Sequence, residues 1–204
     1  MKKKALVVDL DGTLFSINTF HYFIKYLIRF CLRNIDMILL IKISVIVISR
    51  GLKIISHSKM KYLILMRIRY KILIDYQEFV GSISFAKRDL LLLKKRSFDI
   101  TILATAAPSC YAKIIAKNEC FDLCLGTEFP ITNFNTEYEN SKEVKKMNVM
   151  NYLMKDDIYE IDTFITDHLD DIPLMKLSRR NIIVNPNRYT KKELKRHNIS
   201  FEVL

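Results

Sequence analysis

The stretch Ala5-Leu6-Val7-Val8-Asp9-Leu10-Asp11-Gly12-Thr13 decides how the rest of the chain is read. Four apolar residues run straight into a D-G turn, the pattern of a short strand buried on both faces of a parallel sheet. Two carboxylates two positions apart leave the strand on that turn, where they can converge on one divalent cation. With such an ion reducing the repulsion between carboxylate and phosphate, Asp9 can attack phosphorus. Asp11, on the same turn, can give a proton to the leaving oxygen and then take one from water. Gly12 lets the backbone bend closely around a phosphate, whose oxygens are bound by exposed turn N–H groups.

Three further runs share the character of the first. Thr101–Thr105 (TILAT) ends in Ala-Ala-Pro, Thr163–Thr166 (TFIT) in an Asp-rich turn, and Asn181–Val184 (NIIV) in Asn-Pro. Helical patterns at Ser109–Lys117, Ser141–Met154 and, more briefly, Pro173–Leu177 separate them. This alternation predicts an α/β fold, a doubly wound parallel sheet with helices on its faces. Such sheets place their ligand sites just beyond the strand ends, where the polar residues collect here.

The block from 16 to 96 differs in composition. It lacks Pro and is dense in Ile, Leu, Phe, Tyr, Lys and Arg. Phe15 to Arg96 holds 16 Lys/Arg against 4 Asp/Glu, while the remainder holds 17 against 18. The whole net charge of +11 therefore lies in this block, a shift that marks a separate module. Phe20, Phe23, Ile24, Leu27 and Cys31 fall at helical spacing, with Lys25, Arg29 and Arg33 on a second stripe. Three or four helices are expected, inserted after the first strand. Residues 1–15 and 97–204 then form the core, and residues 16–96 the insert. Met37–Ile48, apolar except for Lys42, falls short of the ~20 residues that span a bilayer. It reads either as a buried helix of the insert or as a helix at a membrane interface.

DLDGT after an apolar strand resembles the first motif of the haloacid dehalogenase superfamily, and the rest of the chain supplies counterparts to the other three. The resemblance implies that Asp9 is a transiently phosphorylated nucleophile and Asp11 the acid and base. Thr105 matches the second-motif hydroxyl that binds a phosphate oxygen. Glu139-Asn140-Ser141-Lys142-Glu143 reads as an Asn-capped helix start, which makes Lys142 the expected third-motif lysine, with Lys145 and Lys146 competing. Phe164-Ile165-Thr166-Asp167-His168-Leu169-Asp170-Asp171-Ile172-Pro173-Leu174 is similar to the fourth motif. Asp167 corresponds to the metal-ligating acid and Asp171 to the supporting one. Thr166 stands where Gly is commoner and His168 where Ser is, and His168 reads as a second layer around the metal or as a substrate-facing group. Magnesium would sit on Asp9, Asp167 and the backbone carbonyl of Asp11.

An insert between the first two motifs resembles the helical cap of the phosphoserine-phosphatase-like branch. It implies a lid that excludes water and selects the substrate, with Tyr22, Lys25, Tyr26 and Arg29 among the candidate contacts. The expected activity is hydrolysis of a small phosphate monoester. Transfer of the phosphoryl group to another acceptor, or a membrane-surface or partner-binding module with residual catalysis, stand as alternatives. Ala106-Ala107, where the serine phosphatases resemble a Gly-rich turn, speaks against phosphoserine. Cys31, Cys110, Cys120 and Cys124 lack disulfide or metal spacing and read as free thiols of a reduced cytoplasm. No secretory signal or nucleic-acid module is recognised. A cytoplasmic protein is expected, with peripheral attachment at the inner membrane face, or a lipid-linked phosphate bound through the basic insert, left open.

Overall fold

The computed structural model describes residues 2–94, 97–154 and 159–204. Its centre is β1 (Lys3–Val8), flanked on one side by β2 (Ile100–Pro108) and β3 (Leu123–Thr127). On the other side lie β4 (Tyr159–Thr166), β5 (Arg180–Ile183) and β6 (Glu202–Val203). The sheet order is β3-β2-β1-β4-β5-β6 and every pairing is parallel. The four strands expected from sequence are all present. β3 and β6 were not expected: β3 is a half-buried edge and β6 has two residues, so neither carries an apolar run.

Between β1 and β2 the chain forms α1 (Thr19–Arg33), α2 (Met37–Gly51), α3 (His57–Ile68), α4 (Tyr76–Ser82) and the short α5 (Leu91–Lys94). Asn18, Asp36, Ser56 and Asp75 cap the first four, each side chain accepting an N–H of the first turn. The rest are α6 (Ser109–Asn118), α7 (Lys142–Leu153), α8 (Ile172–Met175) and α9 (Arg188–Arg196).

The period of two along each strand divides the core into two layers. Leu6, Val8, Leu103 and Ile165 face one way, onto Tyr111, Ala112 and Ile115 of α6 and onto the inserted helices. Ala5, Val7, Ile102 and Phe164 face the other way, onto Val149 and Leu153 of α7, Leu174 and Met175 of α8, and Leu194 of α9. The inserted helices share the first layer's apolar cluster: Phe20, Phe23, Leu27, Ile43, Ile64 and Phe79 are continuous with Leu6 and Leu103. The insert's expected bound at Arg96 lies outside the described residues. α2, the Met37–Ile48 stretch, buries only Leu39, Ile43 and Ile46. Its reading as a buried helix holds for one side alone.

Candidate active site

Strand register brings the polar residues together. Val8 is level with Leu103 of β2 and with Ile165 of β4. One residue further, Asp9 is therefore level with Ala104 and Thr166, with Thr105 and Asp167 one step beyond. The Asp9 N–H donates to the Ile165 carbonyl at 2.9 Å, so the chain is still held to the sheet where it turns.

Gly12 makes the turn possible. Its φ is +75°, a region that suits glycine, and a Cβ there would stand 2.0 Å from Asp167 Oδ2. The Asp167 carboxylate thus lies directly against the turn, and Thr13 Oγ1 donates to its Oδ1 at 3.3 Å. Arg88, just before α5, clamps the turn from outside by donating to the carbonyls of Gly12 and Thr13.

Asp9 is nearly buried, and Lys145 Nζ donates to its Oδ1 at 2.9 Å. The same ammonium stands 2.7 Å from Asp171 Oδ1. Burial pushes the Asp9 carboxyl up to about 7. Lys145 opposes that shift, while the Asp171 and Asp11 charges add to it. A single cation shared with a second carboxylate does not offset the loss of water at Asp9. On Lys145 the two acids prevail over burial and hold its ammonium above the ordinary lysine range.

Lys142, the lysine expected to take this place, does not reach it. It is the first residue of α7, at φ +53°, and its side chain is 65% exposed, 3.8 Å from Asp170. The helix start explains the difference. α7 lays Lys145, Val149 and Leu153 on the sheet at a spacing of four, so the inward lysine is the one in phase with the apolar stripe. That phase was readable in the sequence. The expected Asn cap is also corrected: Ser141 holds the cap position, without a side-chain cap bond. Asn140 is instead buried and donates to the carbonyls of Thr105 and Leu125, tying the last part of β2 to β3. Lys146 pairs with Glu143 on the exposed side.

Asp11 Oδ1 accepts both the N–H and the Oγ1–H of Thr19, at 2.8 and 2.6 Å, where α1 begins. Thr19 Oγ1 in turn lies 3.1 Å from the Tyr111 hydroxyl. Burial raises the Asp11 pKa and the Thr19 hydrogen bonds lower it. Thr105 is buried, and its Oγ1 accepts the Ala107 N–H at 3.0 Å, which leaves the hydroxyl proton to donate elsewhere. Thr166 Oγ1 donates to Asp171 at 2.6 Å, so the threonine at the usual glycine position holds the supporting acid. His168 is exposed and Nδ1 accepts the Asp170 N–H, capping a short turn. It lines one cavity with Gly12, Arg88 and Asp167, and its charge acts to lower the Asp167 pKa. Lys61 of α3, not singled out from sequence, is buried and donates to the Ala106 carbonyl at 2.7 Å while pairing with Glu139. Its charge acts to lower the Asp11 pKa.

Four aspartates and one shared lysine leave the cluster short of positive charge, and burial raises the carboxyl pKa of Asp167 as it does at Asp9 and Asp11. The available donors are all oxygen, the chemistry of a hard divalent cation. Among the described residues no group of three His, Cys, Asp or Glu side chains is placed to hold a metal by itself.

No family model and no curated protein matches the sequence. Solved structures do match in shape. A protein of unknown function from Bordetella pertussis Tohama I is 16% identical, with 99% of each chain covered and a TM-score of 0.75. A phosphoserine phosphatase carrying a phospho-aspartyl intermediate analogue is 12% identical over 100% of this chain and 94% of its own, with a TM-score of 0.59. A HAD family hydrolase from Salmonella enterica serovar Typhi is 12% identical, at a TM-score of 0.56, over 93% of this chain and 65% of its own. The chain has the fold of the haloacid dehalogenase superfamily hydrolases, as the phosphoserine phosphatases also do.

Proposed function

We propose that the protein is a magnesium-dependent phosphatase that hydrolyses a small phosphate monoester through an aspartyl-phosphate on Asp9. The observation that carries this reading is the buried Asp9 carboxylate, held by Lys145 at 2.9 Å, with Asp11 and Asp167 beyond the ends of the adjacent strands β1 and β4.

In the first step an Asp9 oxygen attacks phosphorus, the bond to the leaving alkoxide breaks, and Asp11 gives that oxygen its proton. In the second, Asp11 takes a proton from water as the water oxygen attacks phosphorus, releasing phosphate and restoring the Asp9 carboxylate. Lys145 and the Thr105 hydroxyl hold the transferring group and spread its charge, which is most of what phosphoryl transfer asks of a protein. Magnesium bound by Asp9, Asp167 and the Asp11 carbonyl would neutralise phosphate charge and fix the phosphorus in line. Asp171, held by Thr166, keeps Lys145 in place, and Thr19 aims Asp11. The inserted helices would cover the site and choose the alcohol, with Lys61 of that block bonded to the end of β2 beside Thr105.

The test is Asp9→Asn, which should abolish phosphate release from p-nitrophenyl phosphate and from a panel of phosphate esters while the fold is kept. Beryllium fluoride with magnesium should place its phosphate mimic on Asp9. Undiminished turnover in pure Asp9→Asn protein would refute the mechanism.

A further inference from the structure

α2 presents an apolar face that no described residue covers. Helical spacing puts Ile38, Ile41, Val45 and Ile48 on one side of it, and they are between 57% and 70% exposed. The opposite side carries Leu39, Ile43 and Ile46 into the core. The exposed surface continues beyond both ends of the helix, through Ile35 before it and Leu52 and Ile54 after it. Contiguous large aliphatic side chains on this scale mark a contact surface.

The charges around this face have one sign. Lys42 lies at its edge, Arg50 in the last turn and Lys53 just past the end. Neither Lys42 nor Lys53 forms an ion pair among the described residues. The acid at the helix start, Asp36, accepts the Leu39 N–H and pairs with Lys71.

We propose that this face docks on the surface of an anionic lipid bilayer. Ile38, Ile41, Val45 and Ile48 enter the boundary between headgroups and acyl chains, and Lys42, Arg50 and Lys53 meet the lipid phosphates. Charge complementarity selects this occupant. A second copy would bring a block of 16 basic and 4 acidic residues against itself, whereas an anionic leaflet balances it. Length agrees, since no described helix is long and apolar enough to cross a membrane. A helix of this kind lies in the plane of the interface. The inference goes beyond the proposed hydrolysis and is independent of it, because its readout is binding.

The chain contains no Trp, so Val45→Trp supplies a single fluorescent reporter on the face. At low salt, vesicles rich in phosphatidylglycerol should shift its emission to the blue and carry the full chain into the pellet. Phosphatidylcholine vesicles should do so far less. Ile41→Gln/Val45→Gln/Ile48→Gln alters exposed side chains only, so it should keep the circular dichroism and melting point while losing sedimentation with vesicles. Lys42→Gln/Lys53→Gln should weaken affinity for the anionic vesicles roughly thirtyfold, from the worth of two charges near an anionic leaflet. Protein that stays in the supernatant with anionic vesicles would overturn the proposal. So would sedimentation that survives both sets of substitutions, or a blue shift that grows with protein concentration and needs no vesicles, which would assign the face to a second copy.

Discussion

Replacing Lys145 with Met, beside a Lys142→Met control, separates the two lysines that sequence reasoning confused. Lys145 Nζ stands 2.9 Å from Asp9 and 2.7 Å from Asp171, all three side chains being almost wholly enclosed. At an effective dielectric near 20, each contact has a gross attraction on the order of 6 kcal/mol. Most of that is offset by taking the ammonium and two carboxylates out of water. The variant exposes the uncompensated part, two buried carboxylates side by side, which costs about 3–5 kcal/mol. Burial already pushes Asp9 up to about 7, and losing Lys145 pushes it further, so protonation of Asp9 should bring the cost toward the lower end. About 3 kcal/mol lowers the melting point of a chain this size by roughly 6–12 °C, and added magnesium should restore part of it. Loss of the charge facing the transferring phosphoryl group should lower kcat by about 10²–10³. Lys142→Met removes a solvated charge and should stay within about 0.5 kcal/mol. Melting curves with and without magnesium, alongside turnover of p-nitrophenyl phosphate, read both effects. Equal losses in the two variants, or undiminished kcat in Lys145→Met, would refute the assignment.

Gly12→Ala should displace the Asp167 carboxylate, since the new Cβ would stand 2.0 Å from Oδ2 at a φ of +75°; calorimetry should show magnesium affinity falling at least tenfold, a shift of about 1.4 kcal/mol. Thr19→Val removes the 2.6 Å hydroxyl bond to Asp11 but keeps the backbone one. It should lower kcat roughly tenfold, part of the ~10²–10⁴ that a positioned proton donor contributes, with KM little changed. His57 is pushed down to about 4, first by burial and then by the Lys61 charge, with His21 and Arg50 adding and Glu139 opposing. The unfolded chain takes up this proton near 6.5 and the folded chain only near 4, so stability is lost as pH falls through that window. The stability of the natural chain should drop more between pH 6.5 and 4 than that of His57→Gln, by about 2 kcal/mol after discounting for partial exposure, or roughly 4–8 °C in melting point; parallel pH curves would show that His57 is not the group responsible.

What could be read in advance depended on whether a residue's meaning lies in its neighbours along the chain. Ala5–Val8 and the runs at 101–105, 163–166 and 181–184 are buried on both faces, so their apolar character is local and visible. Leu123–Thr127 is an edge strand, half exposed with Gly126 inside it, and it pairs only because β2 supplies a template. α9 buries only Thr190 and Leu194 among nine residues, too few for a periodic pattern to stand out. Lys61 was one of 16 basic residues in its block, and nothing local distinguishes the one whose ammonium reaches Ala106, 45 residues away. Lys145 was a different kind of miss. Its phase with Val149 and Leu153 was in the sequence, but proximity to the helix start was given more weight than the helical period.

The sheet order explains why these scattered residues meet at all. From β1 the chain builds outward in one direction through β2 and β3, and in the other through β4, β5 and β6. Connections on the two sides therefore leave in opposite senses, and a crevice opens past the carboxyl end of β1, where such sheets take their ligands. Asp9 stands at that point, and each layer then contributes what the other cannot. The α7 layer supplies Lys145 from below the nucleophile, through the stripe that also buries Val149 and Leu153. The opposite layer supplies Thr19, whose hydroxyl bonds Asp11, and Tyr111, whose hydroxyl meets that of Thr19. α1 starts at the residue that binds Asp11, so the inserted block meets the proposed proton donor through two hydrogen bonds at 2.8 and 2.6 Å. The exposed face of α2 belongs to the same helical block, packed on both α1 and α3.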